Sequence, residues 1–391
     1  MKAQHVVVLV LHCATALTGA ASPLLGQDAD AWRVSFAAGE EARRSGDVTA
    51  YANEMAAAAG LLPAGHSNRP LVQYHAARAA AMAGQADAAV QWLRATWSED
   101  IESLMISFAP LDPAFGPIVA SPEFRSVVDL AGDLALTTRR LGGDVHLIVG
   151  AGSNVVVKIS SDGVLMVDTG YGLALPALRR TVNDLGGGPI RTVIVTHPHE
   201  DHMGSVAELG ADAEVYAHSG TAAAMAAPYV FMEGVSIPPK ASTAMPDTEV
   251  DSDLSIDFGG ESIRIVPTVA HTRGDLSVYF TESRVAHLGD AFLPSNPMMY
   301  PGTVDPDAFL DRLDAFLDSM HPETVVLGGH EDVTGLGAVR AQIRVTRAAM
   351  AFVRGSIDEG MSIQETAQVG QNRFPAQWTA FFYQLFTQPG R

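Results

Sequence analysis

Cysteine is nearly absent: Cys13 is the only one in 391 residues. The chain can therefore form no internal disulfide, and beyond residue 13 it has no thiol for a nucleophile or a metal ligand. Basic residues are also few, 25 Lys and Arg against 44 Asp and Glu, for a formal charge of −19. So acidic a surface repels phosphate backbones and anionic headgroups, which argues against nucleic acid and membranes as partners. No apolar run reaches the roughly 20 residues that span a bilayer. The chain has no GxSxG elbow and no GxxxxGK[ST] phosphate loop, and GAGSNV at Gly150–Val155 reads as a hairpin turn rather than a dinucleotide motif. Serine-hydrolase and nucleotide-binding readings therefore lose their support.

What is present begins with MKAQHVVVLVLHCATALTGAAS, in which Lys2 precedes an apolar run from Val6 to Leu17 and small residues from Gly19 to Ala21. This is the pattern of a cleavable export signal over residues 1–26, so the mature protein is expected to be periplasmic or secreted and to have lost Cys13. His12 before Cys13 makes a poor lipobox, and no lipid anchor is expected. Residues 28–136 are Ala-rich with helical period. EEARRSGDVTAYANEMAAAAG and ARAAAMAGQADAAVQWLRATW each read as two helices joined at a left-handed glycine, Gly46 and Gly84, and Pro70 suits a first helical turn. The pair resembles tetratricopeptide-type hairpins. Such a layer can bind a protein partner, or it can pack on a neighbouring domain; two copies favour packing, because stacked hairpins usually need three or more repeats.

After Gly142 the pattern changes to strands. VHLIVG, NVVVKIS and VLMVDTG form an expected meander from Val145 to Gly170, followed by a helix over Leu173–Leu185 and the strand RTVIVT. Further strands are expected at Glu214–Ala217, Ser262–Val269, Leu276–Phe280, Arg284–Leu288 and Thr324–Leu327. An amphipathic helix over Asp305–Met320 presents Phe309, Leu313, Phe316, Leu317 and Met320 on one face, and helices after Gly337 and over Ile363–Leu385 close one side. Strands then helices, repeated twice, give an α+β fold with two sheets sandwiched between helices over residues 143–391.

The chemistry concentrates in His197-Pro198-His199-Glu200-Asp201-His202, directly after RTVIVT. His197 and His199 can share one ion, while Asp201 and His202, where the chain turns into a helix, face a second. His271 in VAHTRGD, Asp290 in HLGDAF and His330 in LGGHED follow, each at a strand end. Imidazoles and carboxylates without thiolates suit Zn²⁺, with Fe or Mn also compatible. Asp168, the HxHxDH run, His271, Asp290 and His330 occur in the order of the five motifs of the metallo-β-lactamase superfamily, which the chain resembles over Val145–Val353.

That resemblance implies a four-layer αββα sandwich with two zinc ions. His197, His199 and His271 would hold the first, Asp201, His202 and His330 the second, and Asp290 would bridge them together with a hydroxide. Asp168 would stand behind the ligands and orient a ligand histidine. It further implies hydrolysis of a small carbonyl substrate, a β-lactam, lactone or ester, by the bridging hydroxide, with Asp201, His202 and Asp290 at the reacting centre. Phosphodiester hydrolysis on the same fold, and a partner-binding protein with a structural metal site, are the alternatives. HTRGD differs from the HTPGH run typical of glyoxalase II and many lactonases, which argues against a glutathione thioester.

The other histidines carry no motif. His66, His75, His146, His218 and His321 read as ordinary, and His287, on the strand leading to Asp290, as a buried hydrogen-bonding residue. Lys240 is a candidate carboxylate anchor. Met225, Tyr229, Phe231, Met232, Met298, Met299 and Tyr300 are candidate apolar pocket walls.

Overall fold

The computed structural model describes residues 31–99, 105–232, 235–294, 299 and 305–387, and its contacts divide the chain into two units. The proposed signal, residues 1–26, lies outside the described residues. Among those described, no helix is long and apolar enough to cross a membrane.

The first unit comprises the chain up to Ala135 together with 173–177 and 227–239, two segments that sequence patterning assigns to the following domain. It contains α1 (Ala31–Ser45), α2 (Val48–Leu61), α3 (Arg69–Met82), α4 (Ala86–Glu99) and α5 (Pro122–Val128). Gly46 and Gly84 take φ of 81° and 73° in the tight α1–α2 and α3–α4 turns, a conformation that costs glycine nothing. Asp47 caps α2 by accepting from Ala50 N–H, and Pro70 lies in the first turn of α3. Trp32, Phe36, Tyr51, Met55, Leu62 and Val72 close the core between α1, α2 and α3.

α3 is buried on nearly every side, and its polar residues pair internally: Arg78 Nε donates to Asp112 Oδ2 at 2.5 Å, and Tyr74 Oη reaches the same oxygen at 3.3 Å. Burial, reinforced by the Arg78 and Arg43 charges, pushes the His75 imidazole down to about 3. An unfolded chain takes up this proton near the ordinary value of 6.5. The folded state's advantage is therefore complete above that pH and declines as the pH falls toward 3. We expect His75→Gln to flatten the dependence of urea stability on pH across that window; an unchanged slope would show that His75 does not contribute to it.

The second unit holds two sheets. The first has the order β1-β2-β3-β4-β5-β6-β9, from β1 (Thr137–Gly142), β2 (Val145–Val149), β3 (Val155–Ser160), β4 (Gly163–Val167), β5 (Ile190–Ile194), β6 (Glu214–Ala217) and β9 (Thr248–Glu249). The second runs β10-β11-β12-β13-β14-β15, from β10 (Leu254–Phe258), β11 (Glu261–Pro267), β12 (Leu276–Phe280), β13 (Val285–His287), β14 (Val325–Leu327) and β15 (Thr334–Gly335). A separate hairpin, β7 (Tyr229–Met232) and β8 (Val235–Ile237), belongs to the first unit. β1 extends the first sheet into residues that sequence patterning leaves between domains. Four of its six residues are exposed, so it lacks the apolar alternation that marks a strand.

Alternation sorts the second sheet's side chains onto its two faces. Ile265, Val278, Val285 and Leu327 join Leu147, Val156, Leu165, Val167 and Ile194 in the core between the sheets. Their neighbours Val266, Tyr279, Ala286 and Val326 point outward, onto Phe309, Leu313, Phe316 and Leu317 of α10 (Pro306–Asp318), Ile343, Met350 and Val353 of α11 (Leu336–Asp358), and Trp378 and Phe382 of α13 (Ala376–Thr387). α12 (Ile363–Gly370) begins with a full capping box, Ser362 and Glu365. With α6 (Leu175–Asp184) on the chain's way from β4 to β5, and the short α8 (Val206–Leu209) and α9 (Ser219–Met225) before and after β6, the fold is the α+β four-layer αββα sandwich with N-terminal helices. On the outside, Arg340, Arg347 and Arg354 of α11 pair with Asp318, Asp311 and Asp314, and Asp307 of α10, a ladder that sets the helices' register more than their stability.

A buried ion pair joins the sheets. Lys158 Nζ of β3 lies 2.6 Å from Glu261 Oε2 of β11, the side chains being 8% and 4% exposed. Glu261 also accepts from Ser283 N and Oγ. Removing one partner of so buried a pair strands the other charge. Lys158→Met is expected to lower urea stability by about 3–5 kcal/mol, and Lys158→Met with Glu261→Leu to recover much of that loss. A single substitution costing under about 1 kcal/mol would show the pair to be energetically idle.

Candidate metal centre

The site lies where the parallel strands end. β4 and β5 run parallel in the first sheet and β13 and β14 in the second, while β12 runs antiparallel to β13 and so starts at the same edge. Loops leaving the carboxyl ends of parallel strands are where open sheets place ligands, since backbone groups there have no further strand to pair with.

β4 delivers Asp168, fully buried with φ 61°, an uncommon backbone for a residue with a side chain. Its Oδ1 accepts from Thr196 N–H at 2.7 Å, and its Oδ2 accepts from Thr196 Oγ1 at 2.8 Å and from His202 Nδ1 at 2.7 Å. β5 delivers His197 and His199. The chain then turns into α7 (Glu200–Met203), whose first backbone donors, His202 and Met203 N–H, bond His199 O at 3.0 Å. This one-turn helix carries Asp201 and His202. Thr169 N–H and Oγ1 both donate to His202 O, at 2.7 and 3.0 Å, and Ser153 Oγ donates to Asp201 O at 2.7 Å.

His271 sits on the loop before β12. Buried Asp275 shapes that loop, accepting from Ala270 N, Thr272 N and Thr272 Oγ1 at 2.6–2.8 Å. Its burial, against these hydrogen bonds, holds the Asp275 carboxyl up at about 6. β13 ends at His287, whose Nε2 donates to Asn154 O and whose Nδ1 accepts from Gly289 N–H, each at 3.0 Å, which orients the turn bearing Asp290. Asn154 also fixes the His330 loop, donating through Nδ2 to Gly328 O and Glu331 O at 2.8 Å and through its backbone N–H to Gly329 O at 2.6 Å.

These loops bring seven side chains together. The ligand atoms of His197, His199, His271 and Asp290 form one group and those of Asp201, His202 and His330 a second, all within 4.8 Å of one another in each group. His199 Nδ1 lies 2.9 Å from His197 Nε2 and 3.0 Å from His271 Nε2. In the second group His330 Nε2 is 3.1 Å from Asp201 Oδ2 and 3.4 Å from His202 Nε2. Asp290 stands between the groups, with Oδ2 3.3 Å from His271 and 3.6 Å from His330, and Oδ1 3.5 Å from His202.

The electrostatics follow from burial. Desolvation, with neighbouring imidazoles, presses His197 well below its ordinary value; desolvation also lowers His199 to about 4 and His271 to about 3. Burial opposes charge on His202 and His330 as well, but the surrounding aspartates outweigh it, holding His202 well above the usual range and His330 at about 10. Asp290 and Asp201 are driven down by the same imidazoles despite burial. Asp290 Oδ1 and His199 Nε2 are buried with no hydrogen-bond partner, and a carboxylate oxygen left so among imidazoles fits a cation. Five imidazoles and two carboxylates without a thiolate are donors that suit zinc.

Lys240 does not stand free as a carboxylate anchor: its Nζ lies 2.7 Å from Glu200 Oε1, in an ion pair one residue from Asp201. Of the candidate pocket walls, Met299 packs in the core beneath α10 and α11 and Met225 is buried. The side chains of Tyr229, Phe231 and Met232, and residues Met298 and Tyr300, lie outside the described residues. His66, His218 and His321 each accept a hydrogen bond from a backbone N–H two residues on, a local turn role. Sequence reading gave no role to Thr196, Ser153, Asn154, Glu200 or Asp275. Asp275 was visible within HTRGD. Asn154 carries no local signal, its partners being 174 and 177 residues away.

Residues 147–330 match the family described as the metallo-beta-lactamase superfamily. A hydroxyacylglutathione hydrolase of Acidiphilium cryptum (strain JF-5) is 27% identical over 170 residues, 43% of this chain and 61% of that protein. The alpha subunit of a 2,4-dinitroanisole O-demethylase of Nocardioides sp. (strain JS1661) is 27% identical over 189 residues, 45% of this chain and 54% of that one. The chain therefore spans less than two thirds of either relative. Among solved structures, a sec-alkylsulfatase of Pseudomonas sp. aligns with TM-score 0.48 at 17% identity, covering 66% of this chain and 48% of that one. A beta-lactamase domain protein of Burkholderia ambifaria aligns at 0.47 and 19%, covering 65% and 86%.

A Cβ on Gly329 would collide with Asp290 Oδ1 and crowd His202 Cε1. Gly329→Ala is therefore expected to weaken metal binding by about 10–100-fold in a chelator-competition titration with zinc. Unaltered affinity would mean that this turn does not bound the metal site.

Proposed function

We propose that the chain is an exported dinuclear zinc hydrolase of a small carbonyl substrate, a β-lactam, lactone or ester. The single observation that carries this reading is the convergence of seven potential ligands, in two groups with Asp290 between them, at one edge of a metallo-β-lactamase fold. His197, His199 and His271 would hold one ion, Asp201, His202 and His330 the other, and Asp290 both. Zinc in these positions supplies Lewis acidity toward a carbonyl and activation of water at neutral pH.

The chain's own residues do the remaining work. His197, His202, His271 and Asp290 are almost wholly buried, whereas His199 is partly buried and the Asp201 and His330 side chains are 14% and 38% exposed, so substrate reaches the site past these three. Asp201 Oδ2, between His202 and His330, is the group placed to take up and pass on a proton. Asp168 holds His202 in the tautomer that turns Nε2 into the pocket. The relative named hydroxyacylglutathione hydrolase is, by its name, a hydrolase of an acyl compound, which accords with carbonyl chemistry. Export rests on the sequence of residues 1–26.

Metal analysis of the purified chain should give two zinc ions, and a panel of nitrocefin, an aliphatic lactone and bis-p-nitrophenyl phosphate should show turnover of a carbonyl substrate that His199→Ala abolishes. Turnover of the phosphodiester alone would replace the carbonyl reading. Two tightly held ions with turnover of none would remove the hydrolase reading.

A further inference from the structure

One hydroxyl lies between the two ligand groups, and nothing in the ligand set accounts for it. Thr196 is fully buried at the end of β5, immediately before the first ligand. Its Oγ1 is 2.8 Å from Asp168 Oδ2, 3.0 Å from His197 Nδ1 and 3.4 Å from His202 Nδ1. His197 turns Nε2 toward His199 and Asp290, and His202 turns Nε2 toward Asp201, His330 and Asp290. A histidine that coordinates through Nε2 keeps its proton on Nδ1, so both Nδ1 atoms must donate. His202 Nδ1 has Asp168 Oδ2 at 2.7 Å. His197 Nδ1 has Thr196 Oγ1 as its partner, and a hydroxyl that accepts there can give its own proton only to Asp168 Oδ2.

We infer that Thr196 is a positioning residue that extends the reach of Asp168 from one metal to both, through the chain His197 Nδ1–H to Thr196 Oγ1–H to Asp168 Oδ2, on which His202 Nδ1–H also converges. One buried carboxylate then fixes the tautomer and ring orientation of a histidine in each ligand group. The main chain of Thr196 is bound independently: its N–H donates to Asp168 Oδ1 at 2.7 Å and its carbonyl accepts from Leu276 N–H at 2.7 Å. The hydroxyl is therefore not needed to place the backbone. Its neighbour Gly289 leaves room for the side chain, since a Cβ there would approach Thr196 Cβ and Oγ1 to 3.1 and 3.2 Å.

The inference rests on the zinc-site reading above, and its test separates the two. Thr196→Val keeps the shape and the backbone bonds and removes only the hydroxyl, while Thr196→Ser keeps the hydroxyl. Zinc affinity is measured by chelator competition on the full chain. The Nδ1–H protons of the histidines are followed by NMR in ¹⁵N-labelled zinc-loaded protein, and folding of the metal-free chain by circular dichroism. Thr196→Val is expected to weaken zinc binding by about 10–100-fold and to shift or broaden the His197 Nδ1–H signal, with Thr196→Ser close to the parent in both. Thr196→Val that binds zinc as the parent does, or Thr196→Ser that is as impaired as Thr196→Val, overturns the inference. If Thr196→Val does not fold, Thr196→Ser decides: an unshifted His197 Nδ1–H and parental affinity support the relay, and a loss of either overturns it. A parent chain that binds no zinc refutes the metal reading itself.

Discussion

The constraint on which the rest of the structure depends is the cost of burying charge. Two carboxylates and five imidazoles share one pocket, with a third carboxylate, Asp168, fully buried behind them. Groups of this kind shed tens of kcal/mol of hydration unless hydrogen bonds, opposite charge or a metal compensates. Asp168 is compensated by three donors, whereas Asp290 Oδ1 has none. The difference marks which carboxylate supports the site and which is left for a cation.

That cost explains the architecture around the site. A cluster so exacting needs rigid supports, and each ligand-bearing segment leaves the end of a strand held by its neighbours in a sheet. The loops between are braced by buried polar residues: Asp275 for the His271 loop, Asn154 for the His287 and His330 turns, Ser153 and Thr169 for α7. The core between the sheets and the core beneath α10, α11 and α13 immobilise the strands themselves, so positional accuracy at the edge derives from packing well away from it.

Much of this was legible in the sequence. The β2–β4 meander, β12 and α10 followed from β-branched and apolar runs between turns and from helical period, and Gly46 and Gly84 marked their turns because glycine enters the left-handed region without strain. The candidate ligands stood out because His and Asp recur at strand ends in an ordered series. What stayed hidden lacked local pattern. β1 is a largely exposed edge strand with two arginines, and β10 is only partly buried along most of its length. The Lys158–Glu261 pair and the Asn154 bonds join residues more than a hundred positions apart, a relation that chain order does not encode. Lys240 looked like an available cation only because its partner, Glu200, sits forty residues earlier within the ligand motif itself.

The central claim is that the seven side chains hold two ions with Asp290 between them. It is tested most directly by a crystal structure of the zinc-soaked chain with anomalous diffraction recorded at the zinc edge. Two peaks are expected, one bounded by His197, His199 and His271 and the other by Asp201, His202 and His330, each within coordination distance of an Asp290 oxygen. A single peak, or two peaks neither of which touches Asp290, would contradict it.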